Sequence, residues 1–229
     1  MRWMLLIDTC GSTGGVAIAE LPRTVTGASP RLAALRVLPG RATQERLMTA
    51  IAEVLQENAL RAEDLDVLTV VTGPGSFTGV RIGLAAVKGL AESLDRPVVA
   101  ISRLAVLAAQ GGVSGTVQAW IDAGRGDVFV GRYRQGECLS EAMVHGAGAL
   151  ANLSGAEAVL AMEGLPAGLH PALQYVPEPD LHAVLPLAAH AMQAGMFADA
   201  ALLDANYLRV PDAELHRQAA VERHGAAHA

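Results

Sequence analysis

Residues 73–83 read GPGSFTGVRIG, and this stretch joins a short apolar run, Val67–Val71, to a pattern of helical period. Glycine-rich loops between a strand and a helix can bind phosphate through the free N–H groups of the helix start. The stretch fits neither common phosphate loop, because no lysine follows Gly79 and because this glycine comes one residue too late for a dinucleotide-binding motif. Weak anion binding at the helix start stays open as an alternative.

The helix that follows, which we expect to have Thr78 as its N-cap and to end near Ser93, has a face of small residues. Gly79, Gly83 and Ala86 are spaced at i, i+4 and i+7. Glycine in a helix costs about 0.5–1 kcal/mol relative to alanine, so two glycines on one face indicate the close approach of another backbone. That backbone could belong to this chain's own sheet or first helix, or to a partner protein, and the spacing leaves both explanations open.

The first hundred residues or so alternate strands with helices. Two apolar segments, 3–7 and 15–20, flank a polar glycine-rich turn and predict a β-hairpin. Apolar residues at helical spacing predict a helix from Thr43 to about Asn58. Further strands are expected at 32–38, 67–71 and 98–101. This order predicts an α/β layer with a mixed sheet.

A second, smaller strand-rich part is expected after a glycine-rich hinge at 111–115. Strands at 117–121 and 128–133 flank another polar turn and predict a second hairpin. Residues 164–180 are expected to be irregular, and residues 183–197 to form a helix with Pro186 in its first turn. No sequence repeat links the two halves. The predicted division is 1–108 for an N-terminal lobe, 109–210 for a C-terminal lobe and 211–229 for a flexible tail.

Composition and charge narrow the class of protein. Of the 229 residues, 52% are hydrophobic and 17% are charged, which is typical of a globular domain. No apolar segment is long enough to span a membrane, and the first one ends at Asp8 without a signal-peptide cleavage site, so we expect a cytoplasmic protein. The net charge of −6 and the 3% of aromatic residues disfavour a surface that binds nucleic acid by itself. Cys10 and Cys138 are expected to be buried free thiols.

The stretch 73–83 resembles the signature of the bacterial TsaB (YeaZ) family. Four further segments agree with that family in their order along the chain. They are Leu6–Thr9 with 16–18, Thr43-Gln44, Ile121–Ala123 with 128–129, and Tyr207–Arg209. The resemblance therefore spans residues 1 to about 210.

The resemblance implies a two-lobed actin-like ATPase (ASKHA) fold, with mixed sheets flanked by helices and a reduced second lobe. It also implies a non-catalytic dimerisation subunit of the complex that makes N6-threonylcarbamoyladenosine at position 37 of tRNA. Such a subunit would bind and activate a homologous catalytic subunit, TsaD, and help to recruit an ATPase subunit, TsaE. It would form a homodimer when alone, and tRNA would contact it only indirectly. A stand-alone actin-like ATPase or a peptidase is the alternative.

The expected partner interface lies on the two helices of the first lobe. The resemblance and the apolar faces of these helices assign it to Leu47, Met48, Ile51, Leu55, Phe77, Gly79, Val80, Gly83, Ala86 and Val87. Replacing Gly83 by arginine is expected to disrupt this interface while leaving the chain folded.

No catalytic residue, metal or cofactor is expected. In actin-like ATPases, glycine-rich hairpin turns hold phosphates, and the resemblance implies that Asp8, Thr9 and Asp122 are vestiges of such turns. Asp8 and Asp122 could instead form a carboxylate pair for Mg²⁺ or general-base chemistry, or each could cap its own turn. The histidine ligands that TsaD carries on its first helix are absent, because no histidine precedes His145.

Overall fold

A computed structural model describes most of the chain. The described residues are 1–22, 29–40, 43–112, 115–145, 158–162, 164–165, 173–206 and 208. Their strands form two five-stranded sheets, one from each part of the chain. None of the helices in these ranges combines the length and the apolar composition needed to cross a membrane.

The first sheet contains strands β1 (Arg2–Asp8), β2 (Thr13–Leu21), β3 (Arg31–Pro39), β4 (Val67–Val71) and β5 (Val98–Ile101). Their order across the sheet is β3-β2-β1-β4-β5. The first three strands pair antiparallel, whereas β1, β4 and β5 run parallel. Every residue from Met4 to Asp8 is buried, so the central strand is covered on both faces.

Four α-helices are described, namely α1 (Thr43–Glu57), α2 (Phe77–Leu94), α3 (Arg103–Ala109) and α4 (Leu181–Gln193), together with a 3-10 helix at Ala62–Asp64. Helices α1 and α2 cover one face of the first sheet, and α4 covers the other. Two adjacent glycines of β2 demonstrate this, since successive side chains of a strand point to opposite faces. A Cβ on Gly14 would meet the side chain of Thr43 in α1, whereas a Cβ on Gly15 would meet Leu181 in α4.

The second sheet repeats the strand arrangement of the first. It contains β6 (Thr116–Gly124), β7 (Asp127–Arg134), β8 (Glu137–His145), β9 (Ala158–Met162) and β10 (Leu173–Val176), in the order β10-β9-β6-β7-β8. Strands β6, β7 and β8 pair antiparallel, and β6, β9 and β10 run parallel. The chain thus contains a structural repeat that its sequence does not show, because different apolar residues can build equivalent cores.

The two sheets are connected by helices that follow one sheet and pack on the other. Helix α3 follows β5 of the first sheet, but its Leu104 and Leu107 belong to the apolar cluster of the second sheet. Helix α4 follows β10 of the second sheet and packs on β5, β2 and β1 of the first. Helix α4 therefore packs on the first sheet although its residues fall in the range predicted for the C-terminal lobe. The division of the chain at residue 108 stays a prediction.

Most of the predicted elements are confirmed, including both hairpins, the strands near 32–38, 67–71 and 98–101, and the helix that begins at Thr43. The predicted N-cap of α2 was wrong. The cap is Ser76, whose hydroxyl accepts a 3.2 Å hydrogen bond from the N–H of Gly79.

Other details of the second half also differ from expectation. Pro186 lies in the interior of α4 rather than in its first turn, because the helix begins at Leu181. Strand β10 occupies part of the segment that was expected to be irregular. Cys10 is buried as predicted, but Cys138 is exposed. The predicted tail and two residues of the Tyr207–Arg209 motif lie outside the described residues.

The helical glycines at Gly79 and Gly83 are explained by contact with this chain's own β1–β2 turn. A Cβ on Gly79 would overlap the carbonyl oxygen of Thr9, and a Cβ on Gly83 would lie 2.5 Å from Thr9 Oγ1. The hydroxyl of Thr9 donates a 2.6 Å hydrogen bond to the carbonyl oxygen of Gly79. The backbone that approaches α2 is therefore intramolecular, and the explanation that invoked a partner at these two glycines was wrong.

The loop before α2 is held to the same turn. A Cβ on Gly75 would overlap the carbonyl oxygen of Cys10. The N–H of Ser76 donates a 2.8 Å hydrogen bond to that same oxygen. The glycine-rich stretch thus serves to bring a loop and a helix start against the end of β1.

Most residues of the expected partner interface are buried within this chain, which corrects that assignment. The buried ones are Leu47, Ile51, Leu55, Gly79, Val80, Gly83 and Val87. They lie on the helix faces that pack against the sheet, as the apolar stripe of an amphipathic helix does. Ala86 is partly buried, whereas Met48 and Phe77 are each 57% exposed.

Replacing Gly79 or Gly83 by alanine is expected to lower the free energy of unfolding by about 1–3 kcal/mol, because the added methyl group would overlap Thr9. Gly89→Ala is the matched control, since a Cβ there meets no described atom within 4 Å. Alanine at Gly89 should raise stability by about 0.5–1 kcal/mol. Urea unfolding followed by circular dichroism measures all three variants, and equal stabilities would contradict the described packing.

Candidate functional site

In the turn between β1 and β2, Asp8 and Thr9 both form hydrogen bonds within the chain. Asp8 is 5% exposed, and its carboxylate accepts a 2.8 Å hydrogen bond from the N–H of Cys10. Burial raises the pKa of Asp8, while the charge of Arg103 acts in the opposite direction. The hydroxyl of Thr9 donates a hydrogen bond to the carbonyl oxygen of Gly79. Asp8 therefore caps its own turn, which is one of the two roles that the sequence left open.

A carboxylate from a distant segment closes the same turn. Glu178, between β10 and α4, accepts a 2.9 Å hydrogen bond from the N–H of Ser12 and another from the Ser12 hydroxyl. It also forms an ion pair with Arg103, the first residue of α3, whose side chain is 3% exposed. Burial acts to raise the pKa of Glu178, but the hydrogen bonds from Ser12 and the charge of Arg103 outweigh it and hold the pKa below its usual value.

The sequence did not point to this cluster. Ser12 and Glu178 are 166 residues apart, and Arg103 and Glu178 are 75 apart. No periodic pattern or motif spacing connects residues at such separations. The one local signal is Gly11, since a Cβ at that position would overlap Oε1 of Glu178.

The second hairpin turn is arranged differently. Gly124, Arg125 and Gly126 have positive φ angles, as a tight hairpin connection requires. Asp122 is exposed, and its carboxylate accepts a 2.8 Å hydrogen bond from the N–H of Gly124. Asp122 also lines a cavity of about 230 Å³ between the two sheets, together with Phe77 of α2. Asp122 thus caps its own turn, as Asp8 does.

The two aspartates are not brought into one site. Asp8 lines a separate cavity of about 110 Å³ beside Glu178. Within the described ranges, no group of three His, Cys, Asp or Glu side chains is placed to hold a metal ion. The arrangement therefore gives no support to the hypothesis of a carboxylate pair formed by Asp8 and Asp122.

A second polar network joins the lobes through Glu141 of β8. Its carboxylate accepts hydrogen bonds from the hydroxyls of Ser102 and Tyr133 and from the side-chain amide of Asn206. The N–H of Asn206 donates a 2.9 Å hydrogen bond to the carbonyl oxygen of Thr72, just after β4. Burial and the charge of Glu141 raise the pKa of Tyr133, so its hydroxyl stays neutral. The segment around Asn206 thereby fastens the second sheet to the first.

Helices α1 and α2 each leave small or apolar residues exposed. We call this surface the α1–α2 face and define it as Met48, Ala52, Phe77, Ala85 and Gly89. The two helices start side by side, because residues of both first turns line one cavity of about 310 Å³. Residues four apart lie on one side of a helix, so Met48 and Ala52 share one side of α1, and Ala85 and Gly89 share one side of α2.

Gly89 differs from the other glycines on the faces of α2. A Cβ on Gly89 would meet no atom of the described residues within 4 Å. The intramolecular contact that explains Gly79 and Gly83 therefore does not apply to it. The cost of glycine in this exposed turn, about 1 kcal/mol relative to alanine, is uncompensated within the described part of the chain.

Residues 23–179 match a family model described as TsaD, tRNA N6-adenosine threonylcarbamoyltransferase. Relatives include two proteins described as tRNA threonylcarbamoyladenosine biosynthesis protein TsaB. The one from Bacillus subtilis is 42% identical over 100 residues, which are 43% of this chain and 44% of the relative. The one from Escherichia coli is 33% identical over 97 residues, 41% of this chain and 42% of the relative. The chain belongs to this family, as one of its TsaB (YeaZ) members.

A solved structure matches this TsaB-family chain over most of its length. A Pseudomonas aeruginosa structure, described as an uncharacterized protein with similarity to peptidase YeaZ, has a TM-score of 0.71 at 28% identity. The match covers 91% of this chain and 100% of that one. The sequence alignments, by contrast, span less than half the length of the curated relatives. The predicted α/β fold of mixed sheets flanked by helices and the predicted TsaB (YeaZ) family are confirmed.

Replacing Glu178 by glutamine is expected to lower the free energy of unfolding by about 2 kcal/mol near pH 7, because charge-assisted hydrogen bonds are lost. The pKa of Glu178 is lowered in the folded chain, so the stabilisation by its carboxylate is complete above the unfolded pKa and is lost as pH falls through the folded pKa. The difference in Tm between the two proteins should therefore be constant from about pH 5.5 to pH 8 and shrink below about pH 4.5.

Thermal unfolding by circular dichroism across this pH range measures the difference. Glu137→Gln, on the exposed side of β8, is the matched control and should show little change at any pH. A difference between Glu178→Gln and the natural chain that persists unchanged at about pH 3.5 would contradict the role given to the carboxylate.

Proposed function

We propose that this TsaB-family chain is a non-catalytic subunit of the machinery that makes N6-threonylcarbamoyladenosine in tRNA. Its relatives from Bacillus subtilis and Escherichia coli are named biosynthesis proteins for this nucleoside, and its family model is named for the transferase. The observation that carries the non-catalytic role is the closed β1–β2 turn, where Glu178 takes the donors of Ser12 and Arg103. A turn filled by its own chain leaves those donors unavailable to a substrate phosphate.

Binding and activation of a homologous TsaD-like catalytic subunit is assigned to the α1–α2 face. Met48 and Phe77 are both largely exposed there, and Gly89 offers bare backbone against which a partner helix could pack closely. A stable interface buries about 800 Å² on each partner, which two helices of this length can supply. The proposed interface thus keeps Met48 and Phe77 from the sequence-based set, with partly buried Ala86 at its margin, and replaces the buried members by Ala52, Ala85 and Gly89.

The remaining partner proposals follow from the same assignment. Two copies of the chain would pair through the α1–α2 face when the catalytic subunit is absent. The chain would help to recruit a TsaE-like ATPase subunit to the assembled pair in the cytoplasm. Contact with tRNA would be made mainly by the partner, since this chain has a net charge of −6 and Lys88 is its only lysine.

Replacing Gly89 by arginine is expected to abolish co-purification with a co-expressed TsaD-like subunit. Arginine is a better helix former than glycine, and a Cβ at this exposed position meets no described atom within 4 Å, so the Tm of the chain alone should not fall. Against a partner helix the same side chain would overlap and leave an unpaired charge. The partner retained per mole of tagged chain should drop at least about tenfold, a ratio that corresponds to about 1.4 kcal/mol.

Ala142→Arg, on the exposed edge strand β8, is the matched control and should retain the partner. Gly83→Arg, the variant that the sequence suggested, is unsuitable, because its side chain would collide with Thr9 and destabilise the chain itself. Full retention of the partner by a folded Gly89→Arg chain would rule out the α1–α2 face as the interface.

A stand-alone ATPase or peptidase is the competing function. Two observations favour it. One is the cavity of about 230 Å³ between the sheets, and the other is that the similar Pseudomonas aeruginosa structure is described as resembling peptidase YeaZ. Isothermal titration of the chain alone with ATP and Mg²⁺ distinguishes the two. The proposal expects no binding in the micromolar range, whereas micromolar binding together with hydrolysis would favour an ATPase.

A further inference from the structure

Three hydrogen-bond donors converge on the carboxylate of Glu178. The N–H of Ser12 lies 2.9 Å from Oε1, and the hydroxyl of Ser12 donates to Oε2. The guanidinium of Arg103 donates to Oε1. A backbone N–H, a hydroxyl and a guanidinium are the groups with which proteins generally bind carboxylate and phosphate oxygens.

These donors are positioned by contacts of their own. Arg103 is 3% exposed, and its backbone N–H donates a 2.7 Å hydrogen bond to the carbonyl oxygen of Gly73. The turn that carries Ser12 is closed by the hydrogen bond from the N–H of Cys10 to Asp8. The Nε of Arg103 is buried and has no hydrogen-bond partner within the described ranges, so one donor of the guanidinium is unsatisfied there.

Gly11 leaves room for the Glu178 carboxylate, because it has no side chain of its own. A Cβ on Gly11 would overlap Oε1 of Glu178 and would lie 2.7 Å from Nη2 of Arg103. The φ angle of Gly11 lies outside the left-handed region, so its conformation does not by itself require glycine. Space for a charged group is therefore the reason for glycine at this position.

We propose that Ser12, Arg103 and the bare backbone at Gly11 form a binding site for a singly charged oxyanion, and that Glu178 occupies this site as a built-in competitor. An intramolecular group acts at an effective concentration of about a millimolar or more, which an external anion must exceed. The chain therefore has the donors of an anion site and excludes external anions from it. The proposal concerns this site alone and depends neither on a partner subunit nor on tRNA.

The surroundings of Glu178 select the class of anion. A cavity of about 110 Å³, large enough for several waters of about 10–15 Å³ each, lies beside Glu178, although Ser12, Arg103 and Gly11 are not among its lining residues. Asp8 and Asp180 line the same cavity, and their carboxylates disfavour a doubly charged ligand. Formate and monobasic phosphate are therefore the suitable probes.

Removing the competitor should open the site. Thermal unfolding of the natural chain, Glu178→Ala and Glu178→Gln is measured at about pH 6 in sodium phosphate or formate, with sodium chloride of equal ionic strength as the reference. Phosphate at ten times its Kd should raise the Tm of Glu178→Ala by about 3 °C or more, as mass action gives for a chain of this size. The natural chain and Glu178→Gln, in which a side chain still fills the site, should respond no more to phosphate than to chloride.

Glu137→Ala, on exposed β8, is the matched control for a general effect of the anion. An equal rise of Tm in Glu137→Ala and Glu178→Ala would overturn the proposal, because the anion would then act elsewhere. A folded Glu178→Ala chain that responds alike to phosphate and chloride would overturn it as well.

A Glu178→Ala chain that does not fold in chloride still tests the proposal. The chain is then refolded in phosphate and, separately, in formate. Recovery of the native circular dichroism spectrum in either buffer is the expected result, since the anion takes over the hydrogen bonds of the missing carboxylate. Failure to recover in both buffers would overturn the proposal.

Discussion

The contact between the start of α2 and the β1–β2 turn is the constraint on which the rest of the structure depends. Gly79 and Gly83 leave no room for a side chain against Thr9, and the Thr9 hydroxyl bonds to the backbone of α2. This contact sets the position of α2 over the end of β1 and, through it, the position of α1 beside α2. The glycine-rich stretch 73–83 is thus used for close packing within the chain, and it lacks the residues of a phosphate loop.

The second constraint is the joint between the two sheets. Helices α3 and α4 each pack on the sheet that they do not follow, and two carboxylates, Glu141 and Glu178, receive donors from several separate segments. The pair of Arg103 and Glu178 contributes more to arrangement than to stability, because bringing charges out of water offsets much of their attraction. Loss of one member is nevertheless costly, since it leaves a buried guanidinium without its partner.

The β1–β2 turn and the α1–α2 face differ in which groups they leave available for contact with other molecules. Around the β1–β2 turn, the polar groups that could take part in chemistry are hydrogen-bonded or ion-paired within the chain itself, as Asp8, Ser12 and Arg103 illustrate. On the α1–α2 face, small and apolar residues are exposed, with Gly89 as the clearest case. Such a division suits a subunit that acts through contact with another protein, and it gives the proposed interface and the proposed anion site independent experimental tests.

The sequence by itself determined the local elements and the family, because strand alternation, helical spacing, turn residues and an eleven-residue motif are all written within short stretches of chain. It predicted both hairpins and the helix from Thr43, but not which helix faces would be buried or that Gly79 meets its own chain. Only the tertiary structure decided those points and the closure of the β1–β2 turn by Glu178. The physical reason is that these outcomes depend on contacts between residues 70 to 166 positions apart, and no pattern within a short stretch of sequence predicts such contacts.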